Sequence, residues 1–212
     1  GRLLDIRTPR AMYQEVMVPL HGQHQGDNAS IALVAVEEFF DAQLDIEVVR
    51  EGFAMVEMPG RFEVLGRQPL VVVDGAHNPA GADVCASVFF DDFDPHGRRI
   101  LIVGALGGRD ISDTLSALKV DEFDVVICCT APSPRARQGR EIATVAEQMG
   151  CTNVSSADSV ERACDMALSP SVPKSVPDVV RLGEYSRRVS PRCDRRAVSS
   201  PTVFVADTVP VM

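Results

Sequence analysis

Apolar and polar positions alternate twice near the start of the chain, in LLDIR and in YQEVMVPL, with Thr8 and Pro9 between them. A period of two marks half-buried strands, so the two bursts are expected to form a hairpin or a pair of sheet-edge strands. From Gly26 the period lengthens: ASIALVAVEEFF repeats its apolar positions at helical spacing, and Asp27 or Asn28 is placed to cap the free amides of the first turn. A second helical stretch, IEVVREGFAMV, follows. Pro59-Gly60 then punctuates the chain at the expected boundary between a first subdomain and a second.

Beyond that boundary the pattern is α/β. The β-branched runs RFEVL, LVVVDG, RILIVGAL, DVVICC and TNVSSA alternate with helical segments near residues 80–93, 110–119, 138–149 and 158–168. Continuously apolar strands separated by helices predict a mostly parallel, Rossmann-like sheet with helices on both faces, preceded by a small strand-helix piece. In such sheets ligands bind outside the carboxyl ends of the strands, so the residues following each strand are where chemistry is sought. From Ser169 to Pro201 the periodicity vanishes, and Ser, Pro and Arg make up 18 of 33 residues. Little fixed structure is expected over residues 169–212, although TVFVADTVPV, weakened by its flanking prolines, reads as an edge strand.

Composition narrows the function. A chain of 212 residues with 45% hydrophobic content builds a packed core, and a net charge of -9 with no basic run before the last forty residues argues against a nucleic-acid partner or an anionic membrane. No apolar run reaches the roughly 18–20 residues that span a bilayer, and GRLLDIRTPR lacks the apolar region of a secretory signal; the expected location is cytoplasmic. Six cysteines form no C-x-x-C pair and read as buried free thiols, and His21, His24, His77 and His96 offer no metal-binding spacing.

The most informative stretch is LVVVDGAHNPAGADV. Val71 to Val73 form a buried strand, Asp74 ends it, Gly75 permits a tight turn, and Asn78-Pro79 starts a helix by a side-chain cap and a proline where no amide hydrogen is needed. The helix amino end attracts anionic or polar groups, and the Asp74 carboxylate is suited to accepting hydrogen bonds from a ribose hydroxyl pair. On local features alone, a turn-fastening Asp74 and a gap-filling His77 are as good a reading.

D-G-A-H-N-P after an apolar strand, P-G-R-F-E at Pro59–Glu63, G-x-H-Q-x-x-N-A at Gly22–Ala29 and the V-G-A-L-G-G-R-D loop at Val103–Asp110 occur in the order found in folylpolyglutamate and dihydrofolate synthases of the Mur ligase superfamily, which residues 5–168 resemble. The resemblance implies that residues 1–58 end a central ATPase domain, 59–168 form the carboxy-terminal α/β domain, and 169–212 are an atypical tail. It implies an ATP-dependent, amide-forming ligase that passes a γ-phosphate to a carboxylate and joins glutamate to dihydropteroate or a reduced folate, with Mg²⁺ as cofactor and a monomeric full-length enzyme.

Residue by residue, the resemblance places Asn28 near the adenine, Arg61 on the phosphates, Asp74 on the ribose and His77 near the nucleotide; Arg109-Asp110 resembles a Lys-Asp pair. Each has a plainer role open to it: a helix cap for Asn28 and Asp110, an ion pair with Glu57 or Glu63 for Arg61. The glycine-rich G-K-[ST] phosphate loop is not in this sequence, nor are the central domain's magnesium ligands and modified lysine, so the chain alone is expected to be inactive. The abrupt change at residue 169 points to a truncated, frame-altered or recombined reading frame. Also open are a non-catalytic nucleotide-binding or interaction module and a fragment of a peptidoglycan ligase. A dinucleotide oxidoreductase is disfavoured, because no G-x-G-x-x-G follows an expected strand.

Overall fold

A computed structural model describes residues 1–67, 70–95, 97–108 and 110–167, together with the backbone of 203–208. The chain divides into two compact units, Gly1–Pro59 and Gly60–Met212.

In the first unit, β1 (Arg2–Arg7) and β2 (Met12–Val18) pair antiparallel as the alternation predicts. Thr8 closes the connection by donating its amide to the Ala11 carbonyl at 2.9 Å, while its hydroxyl accepts the Ala11 amide at 2.9 Å. Helix α1 (His24–Phe40) and helix α2 (Ile46–Ala54) follow, the latter capped by Asp45. Ile6, Tyr13, Val16 and Val18 from the hairpin meet Ala29, Leu33 and Val49 from the helices. Glu37 is fully buried in this small core, where one carboxylate oxygen accepts the Tyr13 hydroxyl at 2.6 Å and the Thr8 hydroxyl at 3.1 Å. The opposite surfaces are apolar too: Leu3, Met12 and Met17 on the hairpin and Ile31, Phe39 and Phe40 on α1 are exposed, Phe39 by 82%. Among the described residues, the exposed large apolar side chains all belong to this unit.

The second unit is a six-stranded sheet in the order β3-β4-β8-β5-β6-β7. Its strands are β3 (Glu63–Arg67), β4 (Leu70–Asp74), β5 (Arg98–Gly104), β6 (Val125–Cys129), β7 (Val154–Ala157) and β8 (Val203–Thr208). The β5, β6 and β7 strands pair parallel, whereas β3 and β8 run antiparallel to their neighbours. Because β8 is antiparallel to both β4 and β5, those two share a direction, and the carboxyl ends of β4 to β7 lie along one side of the sheet.

Alternate residues of each strand face two cores. Leu101, Val103, Val126 and Cys128 pack under α3 (Pro79–Ser87), α4 (Ile111–Ala117) and α5 (Gly139–Gln148). Ile100, Ile102, Val125, Ile127 and Cys129 face α6 (Val160–Ala167). Burying such side chains contributes roughly 1.5–3 kcal/mol each, which is why strands covered on both faces read as unbroken apolar runs. The fold is the expected α/β sheet with helices on both faces.

TVFVADTVPV does not make an edge strand: β8 sits inside the sheet, between β4 and β5, because its six residues contain no proline and can bond on both sides. Asn28 does not cap α1, which begins four residues earlier after Gln23, a residue already helical and making no side-chain cap bond. The remainder of the Ser/Pro/Arg-rich tail, residues 168–202 and 209–212, lies outside the described residues. No helix among the described residues is long and apolar enough to cross a membrane.

Candidate functional site

The residues around the tip of β4 are joined by a set of short backbone bonds. Asp74, the last residue of β4, is buried at 9% exposure, and its two carboxylate oxygens accept different amides: Oδ2 that of Phe62 at 2.7 Å, Oδ1 that of Ala76 at 2.7 Å. The Gly75 amide donates to the Gly60 carbonyl at 2.7 Å. Glu63 folds back on its own loop, its Oε2 accepting the Gly60 amide at 2.9 Å. The segments Gly60–Glu63 and Asp74–Ala76 are thus stitched into one junction.

Two conformational details make this possible. Gly60 has a φ of 72°, in the left-handed region that glycine enters without a steric cost. A Cβ on Gly75 would stand 3.2 Å from the Gly60 carbonyl oxygen, so the absence of a side chain there lets the two backbones approach. On the helix side, Asn78 caps α3 through Oδ1, which accepts the Gly81 amide at 2.8 Å, and Pro79 occupies the first helical position. Burial first, and the neighbouring Asp74 carboxylate second, push the Cys85 thiol of α3 well above its ordinary pKa.

Arg61 and His77 stand at this junction as exposed side chains. Arg61 follows Gly60 directly, and among the described residues it forms no ion pair with Glu57 or Glu63. His77 lies two residues beyond Gly75, with Nδ1 3.2 Å from the Gly75 carbonyl. Asp74 is the reverse case: its carboxylate holds the turn, and a ribose hydroxyl would have to use lone pairs left over from two backbone bonds.

Asn28 belongs to the first unit, is exposed on the first turn of α1, and donates to Gln25 Oε1 at 3.3 Å. Asp110 caps α4, accepting the Ser112 amide at 3.0 Å, and that bond holds its carboxyl below the usual range; Arg109 lies outside the described residues.

The neighbouring strand tips are built as closely. The loops after β5 and β6 are zipped together by Gly107 donating to the Arg135 carbonyl at 2.7 Å and Arg137 donating its amide to the Ala105 carbonyl at 2.8 Å. Gly139 starts α5 against the ends of β6 and β7, its amide held by the Thr130 hydroxyl at 3.0 Å. Sequence reading missed Phe62 and Glu63 as parts of the site. Both stand in the P-G-R-F-E run, which was the signal for them, but neither was given a role in holding the site. Among the described residues, no group of three or more His, Cys, Asp or Glu side chains is placed to hold a metal ion.

Comparison with known proteins gives a consistent picture. Residues 60–182 match the family model described as Mur ligase, glutamate ligase domain. A dihydrofolate synthase/folylpolyglutamate synthase of Mycobacterium tuberculosis is 39% identical over 176 residues, covering 80% of this chain and 35% of the relative. A solved Mycobacterium tuberculosis folylpolyglutamate synthase, complexed with ADP and AMPPCP, superposes with a TM-score of 0.70 at 40% identity, over 75% of this chain and 36% of that one. A bifunctional folylpolyglutamate synthase/dihydrofolate synthase with Mn, AMPPNP and L-glutamate bound gives 0.63 at 27% identity, over 76% and 37%. The chain therefore spans about a third of the length of these relatives.

Proposed function

The chain belongs to the Mur ligase family, in its folylpolyglutamate/dihydrofolate synthase branch, and on that premise we propose that it is the carboxy-terminal part of an ATP-dependent ligase joining glutamate to dihydropteroate or a reduced folate. In this reaction a substrate carboxylate oxygen attacks the γ-phosphorus and ADP leaves. The glutamate amine then attacks the acyl carbon of the acyl phosphate, and inorganic phosphate and a proton depart as the amide forms.

The observation that carries the reading is the stitched junction. Two bonds hold Gly60–Glu63 against Asp74–Ala76, one further bond tightens each segment, and Arg61 and His77 are left exposed at the carboxyl end of β4, the side of an α/β sheet where ligands bind. Arg61 offers a permanently charged, planar fork to the nucleotide phosphates. His77 lies beside the same nucleotide, and Asp74 contributes through the turn it holds. Relatives solved with ADP, AMPPCP, AMPPNP and glutamate support this assignment.

Among the described residues no three or more His, Cys, Asp or Glu side chains gather, and we assign the ligands of the Mg²⁺ that the family reading implies to the amino-terminal region of the full-length enzyme; no step here runs through that ion. Residues 1–58 are read as the end of a central ATPase domain. Their surplus of exposed apolar surface, concentrated on Leu3, Met12, Met17 and the outer face of α1, is what a piece of a larger domain would present.

The test is turnover with ATP, glutamate and either dihydropteroate or a reduced folate. The 212-residue chain alone, which lacks the phosphate loop, should give none. Joined to a phosphate-loop-bearing amino-terminal portion it should turn over, and Arg61→Ala should lower kcat/KM by about a hundredfold, as loss of a charge-stabilising donor does. Unchanged turnover in that variant would remove Arg61 from the site.

A further inference from the structure

Phe62 has a φ of 42°, in the left-handed region, although it carries a bulky side chain and is 97% buried. A residue with a Cβ adopts that conformation only when its surroundings over-determine it, and such outliers cluster where a chain must present a functional group. Several contacts hold Phe62. Its amide donates to Asp74 Oδ2 at 2.7 Å. Its ring packs on Phe93 with centroids 5.2 Å apart and planes tilted by 39°. Gly60, two residues earlier, is itself pinned by Glu63 through its amide and by Gly75 through its carbonyl.

Phe93 is the last residue of a π-helical turn, Val88–Phe93, that extends α3. Such wide turns are rare and recur near functional sites. This one carries Phe89 and Phe90 into the core beneath the sheet and leaves Phe93 against Phe62. The same helix that begins at Asn78, beside His77, therefore ends by anchoring the residue next to Arg61.

We infer that Phe62 is a positioning residue for Arg61: the strained turn, clamped by Asp74 and anchored on Phe93, fixes the main chain from which the guanidinium reaches the phosphates of a bound nucleotide. The inference rests on the nucleotide reading of Arg61. Arginine loses much rotational freedom on binding, and a fixed main chain reduces what must be ordered at that moment. Phe62 itself touches no ligand, so its effect is confined to the contact that Arg61 makes.

The test is calorimetric titration of the 212-residue chain with ADP and, separately, with adenosine. Phe62→Ala should weaken ADP about tenfold, the loss of one charge-assisted contact, and leave adenosine unchanged. Phe62→Leu, which refills the apolar site, should recover most of the ADP affinity. In an Arg61→Ala background Phe62→Ala should have no further effect, whereas a merely structural role would weaken both ligands and add to Arg61→Ala. If Phe62→Ala does not fold, Phe93→Leu carries the same test, with a roughly threefold loss for ADP that likewise disappears without Arg61. Wild-type ADP affinity in Phe62→Ala, or in Phe93→Leu where that variant carries the test, overturns the positioning role alone. Failure of the wild-type chain to bind ADP overturns the nucleotide reading, and this inference with it.

Discussion

Asp74 shows how one carboxylate can govern a site without offering itself to solvent. Each oxygen accepts a backbone amide at 2.7 Å, one from each of the two segments that form the junction. Asparagine at this position keeps one acceptor and turns an N–H₂ toward the other amide, so Asp74→Asn should destabilise the second unit by about 2 kcal/mol. Chemical denaturation followed by circular dichroism checks this, and a stability within about 0.5 kcal/mol of wild type would mean that the clamp is not needed. At this scale the sequence was legible wherever a local rule applied: Asn78 and Asp110 cap the helices that follow them. It misled at Asn28, where a good capping residue lies inside a helix begun four residues earlier. Phe62 was unreadable, because a left-handed phenylalanine is set by tertiary contacts and leaves no mark in its neighbours' identity.

Among the elements, Gly139 decides how closely α5 approaches the sheet. A Cβ there would lie 2.5 Å from the Cys128 carbonyl oxygen and 2.8 Å from that of Ala157, both main-chain atoms that cannot swing aside. Gly139→Ala must therefore lift the start of α5 off the tips of β6 and β7, and should cost about 2–3 kcal/mol. A thermal melt of the variant checks this, and an unchanged midpoint would show that the helix shifts freely. The β-branched runs and helical periods beyond Pro59 announced β3 to β7 and α3 to α6 because each is governed by local pattern. The place of β8 was hidden for the opposite reason. Its partners, β4 and β5, precede it by about a hundred residues or more, and nothing local states that a six-residue run will insert between them rather than join an edge.

Over the whole molecule, buried thiols tie stability to alkaline pH. Burial pushes Cys128 and Cys129 up to about 12 and Cys164 up to about 11, from an ordinary value of 9.0. Below pH 9 both folded and unfolded chains keep these protons, and the full stability is present. Above pH 9 the unfolded chain releases them while the folded chain holds Cys164 to about pH 11 and Cys128 and Cys129 to about pH 12, so stability falls as pH rises through that window. Denaturant midpoints from pH 8 to 11 should decline accordingly, and a flat profile would mean that the thiols ionise in place. The two units also differ in completeness: the second covers its sheet on both faces, while the first exposes Phe39, Phe40 and the outer hairpin residues.

If the junction of Gly60–Glu63 with Asp74–Pro79 is half of a nucleotide cradle, backbone amide NMR of the 212-residue chain titrated with ADP reports it directly. The amides of Gly60 to Glu63, of Asp74 to Asn78 and of Ala80 and Gly81 should shift together and saturably, ahead of those in β7 and α6. Shifts confined to other regions, or none at saturating ADP, would contradict it.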